Sequence, residues 1–167
     1  MKTGFLTMVS VLFLCLQVMG QETSKVQFRD AAFSIAVPYL DDNVGLQLSL
    51  STSISFNKNI LKAYASGGGE FSSSFGEGSD LDSFEEYDLL YGREIPLSEA
   101  LQLELYGGVG YFIADKNLEM DKVIGFPVQA ALVFPTERKI NFGIQAHTNI
   151  NNFMPVASLG FLVKYNF

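Results

Sequence analysis

From Val44 to Phe56 the chain alternates for thirteen residues without a break. Val44, Leu46, Leu48, Leu50, Thr52, Ile54 and Phe56 hold one parity, and Gly45, Gln47, Ser49, Ser51, Ser53 and Ser55 hold the other. Successive side chains of a β-strand point to opposite faces, so a period of two separates an apolar wall from a polar one. A helix needs apolar residues every three or four positions, a pattern that is scarce in this chain. The stretch therefore predicts a strand far longer than the usual length of about five or six residues.

The same alternation returns. Leu101, Leu103, Leu105, Val109, Tyr111 and Ile113 share a parity, as do Ile124, Phe126, Val128, Ala130, Leu132 and Phe134. Ile140, Phe142, Ile144 and Ala146 follow, then Leu159, Phe161, Val163, Tyr165 and Phe167. Weaker versions cover 26–37, 60–66 and 83–95. In 26–37 the parity changes between Phe28 and Ala31, which a β-bulge near Arg29-Asp30 accounts for. The pattern predicts eight strands at about 26–37, 44–56, 60–66, 83–95, 100–113, 123–134, 139–149 and 155–167. Tight turns are expected at 57–59, 96–99 and 135–138, and longer connections at 38–43, 67–82, 114–122 and 150–154. Short turns at one end and longer loops at the other are the rhythm of an antiparallel up-and-down barrel, with both chain ends at the short-turn rim.

Residues 1–20 stand outside this pattern. Lys2 precedes an apolar run from Phe5 to Val18, and Val18-Met19-Gly20 offers a cleavage site before the polar Gln21-Glu22-Thr23. This reads as a secretory signal peptide cleaved near Gly20, leaving 21–167 as the barrel domain. The run is short for a transmembrane helix. Cleavage removes Lys2, which takes the net charge from −7 to −8, and it removes Cys15, the single cysteine. Leu14 before Cys15 does not match a lipidation signal. An exported domain without cysteine has no disulfide, no thiolate metal site and no cysteine nucleophile.

Alternation alone does not say which wall faces in. A soluble barrel turns its apolar set inward, whereas a membrane barrel turns it toward lipid and fills the lumen with polar residues. Charged residues make up 17% of the chain and apolar ones 48%, a low charge for a surface bathed in water. The polar parity is rich in Gly, Ser, Gln and Asn. Aromatics of the apolar parity gather near strand ends: Phe56, Tyr91, Phe134, Tyr165 and Phe167 toward the short turns, and Tyr87, Tyr111 and Phe126 toward the long loops, with Leu, Ile, Val and Ala between them. Of the charged residues, Arg93 is the one read as sharing the apolar face, near a turn. A basic residue there costs about 0–1 kcal/mol, against about 2–4 kcal/mol at the bilayer midplane. The sequence thus predicts an all-β, eight-stranded transmembrane barrel, expected to be monomeric and surrounded by outer-membrane lipid. The acidic balance argues against a nucleic-acid partner.

The last strand, Leu159 to Phe167, ends in Phe167 with apolar residues at alternate positions before it. It resembles the C-terminal strand of Gram-negative outer-membrane barrels. The stretches 124–129, 140–144 and 149–152 resemble the small outer-membrane β-barrel domain proteins of the Bacteroidota. The resemblance covers most of the chain after residue 20. It implies an outer-membrane location, and it implies that Phe161, Val163, Tyr165 and Phe167 form the signal read by the barrel-assembly machinery.

Eight strands enclose a lumen just wide enough for side chains to fill, so a general porin is not expected. Inward candidates include Gln47, Lys62, Tyr64, Gln102, Tyr106 and Asn141, and the proposed polar network is Glu86, Asp88, Glu104, Gln129, Gln145, His147 and Lys164. Its acids need Lys62, Lys164 or Arg29 as partners. The short final hairpin sets Asn141 opposite Lys164 and His147 opposite Ser158. His147 is the single histidine, which excludes a histidine cluster for metal, and neither a catalytic constellation nor a cofactor motif is legible. The Gly- and Ser-rich segment 67–82 lacks the Lys of a phosphate-binding loop and the spacing of an EF-hand, although its acids could bridge divalent cations to lipid headgroups. The expected role is structural or interactional, through 67–82 and 114–122, without enzymatic activity. Two alternatives remain at this stage. One is a soluble exported barrel holding an apolar ligand in the manner of a lipocalin. The other is a lipid-modifying membrane enzyme using His147 with Ser158 and Glu104.

Overall fold

A computed structural model describes residues 26–40, 43–70, 83–116 and 119–167. The expected signal peptide, Asp41-Asp42 and the acidic segment 71–82 lie outside the described residues. The rest is one closed antiparallel barrel of eight strands in chain order. They are β1 Gln27–Leu40, β2 Asn43–Phe56, β3 Asn59–Glu70, β4 Ser83–Ser98, β5 Leu101–Lys116, β6 Glu119–Phe134, β7 Ile140–Ile150 and β8 Val156–Asn166. Pairing of β1 with β8 closes the ring and leaves no free edge. Chain entry into β1 and the end of β8 share the short-turn rim, where Phe28 and Phe167 meet edge to face at 6.0 Å.

The apolar parity faces out. Leu46, Leu48 and Phe142 are 43%, 46% and 57% exposed, and Leu103 is half-buried on the same outer wall. Gln47, Ser49, Gln145 and His147 on the opposite parity are buried. A lipocalin-like reading needs the reverse, so the distribution rules it out.

Local chemistry explains where the sheet bends. The β1–β2 register shifts between Phe28 and Asp30, the bulge that the parity change implied. This puts Asp30 inside while Phe28 stays outside. Asn57 opens the β2–β3 turn at φ 56°, a left-handed conformation that Asn tolerates better than most residues. Pro38 and Pro127 sit within strands. Each lacks an N–H, and each interrupts the ladder on one side alone. The β1–β2 pairing breaks around Pro38 while Pro38 stays opposite Ser158 of β8. The β5–β6 pairing breaks around Pro127 while Pro127 stays opposite Asn149 of β7.

Several expected boundaries move. β1 continues through Pro38 to Leu40, β3 continues through the glycines to Glu70, and β5 and β6 reach Lys116 and Glu119. The connections expected at 38–43 and 114–122 are therefore mostly hairpin. The turn placed at 96–99 lies at Glu99-Ala100, after a register shift between Pro96 and Ser98. Arg93 is joined on the outer wall by Glu85 and, beyond the aromatic positions, by exposed Lys122. Tyr87 donates its hydroxyl to Glu85 Oε2 at 3.0 Å and pairs across the sheet with Tyr111. Phe56 and Tyr91 pack at 6.3 Å near the short turns, and Tyr165 packs edge to face on Phe167. Phe33 and Phe161 depart from the two-girdle expectation, because both face outward in mid-strand.

Candidate functional site

The lumen is filled in layers. Along β4 the inward residues run Phe84, Glu86, Asp88 and Leu90 from the long-loop end toward the turn, then Gly92 and Glu94. Each marks a level that other strands complete.

The outermost level is apolar. Leu40, Phe84, Phe112, Ala114, Met154 and Val156 form one buried cluster, with Phe84 and Phe112 stacked at 5.6 Å. Asn151 ties down the β7–β8 connection by accepting the N–H of Phe153 and of Met154 on its Oδ1. This folds Met154 into the mouth and separates the polar interior from the long-loop side.

Below it lies an acid–imidazole level. Glu86 Oε1 and Oε2 are each 3.1 Å from His147 Nε2. Asn149 Nδ2 donates to Glu86 Oε1 at 2.5 Å, and Ser66 Oγ donates to Oε2 at 3.4 Å. Asp88 Oδ2 lies 4.0 Å from the same imidazole nitrogen. Tyr64 stacks on His147 at 4.8 Å and fixes the ring plane. Gln47 Nε2 bridges Tyr64 Oη and Ser66 Oγ, which carries the network to β2. Glu86, Asp88 and His147 converge, one ligand atom of each within 4.8 Å of the others, a set of one imidazole and two carboxylates and not a histidine cluster.

The third level holds Lys62. Its ammonium donates to Gln129 Oε1 at 2.9 Å and lies 3.7 Å from the centre of the Tyr106 ring, a cation–π contact. The last level, at the short-turn rim, is ionic. Lys164 Nζ donates to both oxygens of Glu104 at 2.5 and 2.6 Å. Arg29 donates to Glu104 Oε1 at 2.7 Å and to Glu94, and Tyr106 donates to Glu104 Oε2 at 3.0 Å. Asp30 is 3.4 Å from both Lys164 and Arg29. A polar vestibule of about 330 Å³, lined by Arg29, Glu94, Gln102, Asn141 and Lys164, opens from here to solvent.

The structure splits six of the seven expected network residues between two levels and a bridge. Glu86, Asp88 and His147 meet above, Glu104 and Lys164 meet below, and Gln129 joins Lys62 between them. Gln145 is buried on the same inner wall, opposite Gly160 and Ala131. Asn141 faces Lys164 and His147 faces Ser158 in the register of the final hairpin. Asp30, Ser66 and Asn149 complete the network and were not among its expected members. Asn149 shares the parity of Gln145 and His147, a signal that was available; Asp30 was hidden by the bulge. Phe161, Val163, Tyr165 and Phe167 line the outer wall of β8. The Ser158–His147–Glu104 triad does not assemble, because Glu104 is held by Lys164 and Arg29 while His147 is held by Glu86.

Solved structures share this architecture. Neisserial surface protein A superposes with a TM-score of 0.67 at 10% identity, covering 86% of this chain and 99% of that one. Ail, the attachment invasion locus protein of Yersinia pestis, gives 0.58 at 12% identity, covering 87% and 100%. The N-terminal β-barrel domain of Pseudomonas aeruginosa OprF gives 0.54 at 10% identity, covering 84% and 100%. The chain has the closed eight-stranded fold of small outer-membrane barrels. At these identities the likeness is one of fold. No protein-family model matches the sequence, and no curated protein matches it.

Proposed function

We propose that this chain is a small integral β-barrel of a Gram-negative outer membrane, closed to general solute flow and acting through its long-loop rim. The observation that carries the reading is the inverted wall: apolar side chains outside, buried Lys, Glu, Asp and His inside. In water such an outer surface would be an aggregation hazard, since contiguous exposed apolar patches on soluble monomers rarely exceed a few hundred Å². In lipid it is the expected surface. The fold shared with outer-membrane barrels supports the same location.

In this reading residues 1–20 direct export and are removed near Gly20. The outward aromatic series of β8 presents the barrel-assembly machinery with its binding segment, and the barrel works as a monomer. Small side chains at Ala63 and Ala65 leave an apolar recess on the outer wall beside Leu50, Tyr87 and Val109, suited to an acyl chain. Among the described residues an apolar cluster and an ionic cluster fill the lumen on either side of His147, which supports a structural or interactional role over an enzymatic one. The sequence resemblance to Bacteroidota-type barrels suggests the bacterial group in which to look for it.

Fractionation of a Gram-negative host tests the location. Recovery in outer-membrane fractions, with unheated protein migrating faster on gels than boiled protein, is the expected result. Recovery in the soluble periplasm would overturn it.

A further inference from the structure

Among the described residues, two buried carboxylates in the upper lumen have no Lys or Arg partner. Toward the short turns, Arg29, Lys62 and Lys164 accompany Asp30, Glu94 and Glu104, equal numbers of each sign. Toward the long loops, Glu86 and Asp88 have His147 as their one ion-pair neighbour among the described residues. Charges taken out of water need pairing or a metal.

Asp88 is the telling residue. It is 6% exposed, and neither carboxylate oxygen has a hydrogen-bond partner among the described residues. Its Oδ2 is directed at the same Nε2 that faces Glu86. Space is reserved for it: a Cβ at Gly110 would meet Asp88 Oδ1 at 1.9 Å. Its neighbours are oriented in different ways, Glu86 by hydrogen bonds and His147 by ring stacking, with no hydrogen-bond partner on His147 Nδ1 among the described residues. Asn149 and Ser66 orient Glu86, and Tyr64 orients the His147 ring. An ion bonded at about 2.0–2.2 Å to each donor holds its ligands within roughly 3–4 Å of one another, so a small rotation of Asp88 closes the set.

We propose that Glu86, Asp88 and His147 bind one divalent transition-metal cation of the zinc class, which clamps β4 to β7 across the lumen. One imidazole and two carboxylates, with a fourth position for water, suit such an ion. Calcium takes six to eight oxygens, more than this enclosed level offers. Two negative charges against one divalent ion leave the level neutral, and the apolar cluster above keeps it from bulk water. The site requires the barrel and not its location, so its failure would leave the membrane reading untouched.

The test unfolds the full-length chain, without a histidine tag, in denaturant with chelator and refolds it in detergent over a range of Zn²⁺ concentrations, so that the ion can enter before the lumen closes. One zinc per barrel is expected, with a thermal midpoint raised on the order of 5–10 °C at about 100-fold excess over Kd. Because His147 is the single histidine, X-ray absorption of the zinc complex should show one imidazole in a nitrogen/oxygen shell. Asp88→Asn and His147→Gln, each assayed on the folded, heat-modifiable fraction, should weaken binding by about 10–100-fold or more. A folded wild-type barrel that takes up no zinc overturns the proposal. So does a zinc shell without imidazole, or binding that both variants leave intact, which would place the ion on the acidic rim.

Discussion

Lys164 and Glu104 meet across the short-turn end of the lumen, with the ammonium 2.5 and 2.6 Å from the two carboxylate oxygens. They come from β8 and β5, strands on different parts of the wall, so the pair ties the barrel across its interior. Arg29 and Tyr106 add donors to the same carboxylate, which leaves few of its lone pairs unmet.

Breaking that pair on one side should be costly. Glu104→Gln leaves Lys164 and Arg29 with Asp30 as their remaining shared anion, so a loss toward the low end of about 3–5 kcal/mol is expected. Urea-induced unfolding in lipid vesicles measures it. Glu104→Gln combined with Lys164→Met should recover part of the loss; strict additivity of the two singles would show that they do not interact.

The outer wall should penalise charge by depth. Leu48 lies mid-strand between Ile35 and Gly67 and faces outward. Leu48→Arg should destabilise the barrel in bilayers by about 2–4 kcal/mol, whereas Ile124→Arg, one alternate position from exposed Lys122, should lose less. Equal losses at the two positions, measured by the same unfolding assay, would show that Ile124 is not near the interface.

Gly110 and Asp88 should be coupled. An alanine Cβ at 110 would press on Asp88 Oδ1, and overpacking of this kind costs about 1–3 kcal/mol. In chelator, Gly110→Ala should destabilise the wild type by that amount and should do so less on an Asp88→Ala background. A double-mutant cycle reads the interaction, expected at about 0.5–3 kcal/mol.

The apolar cap should hold both stability and closure. Phe112 is fully buried and stacks on Phe84. Phe112→Ala should cost about 3–5 kcal/mol. In planar bilayers the wild type should show no porin-sized conductance, and the double variant Phe84→Ala, Phe112→Ala should conduct more than wild type. Large steps from unmodified protein would contradict a filled lumen.

Alternation made much of the fold legible, and particular departures show its limits. The strand at 44–56 was readable almost to the residue because one of its walls meets lipid and the other meets polar neighbours. β5 and β6 run past the expected ends at Ile113 and Val123 because backbone pairing continues after the apolar requirement stops. Lys122 is exposed opposite Ile113, still in the ladder. β3 crosses Gly67-Gly68-Gly69, residues that carry no hydrophobic signal yet pair with β2 and β4. Inward facing was readable for Glu86, Asp88 and His147. Their meeting was not, because 61 residues separate Glu86 from His147 and parity carries no information about rotation around a barrel.

The sequence by itself determined which residues share a wall, because side-chain direction follows backbone parity residue by residue. Together with composition, that made a lipid-facing barrel the favoured reading and located its bulge, its last hairpin and most of its inward charges, Asp30 and Glu94 excepted. Only the tertiary structure decided which inward charges meet. Strand tilt and ring closure set the heights of side chains on strands that are not neighbours. Those heights bring Lys164 to Glu104 and Lys62 to Gln129, and they set Asp88 beside His147 with neither oxygen hydrogen-bonded among the described residues.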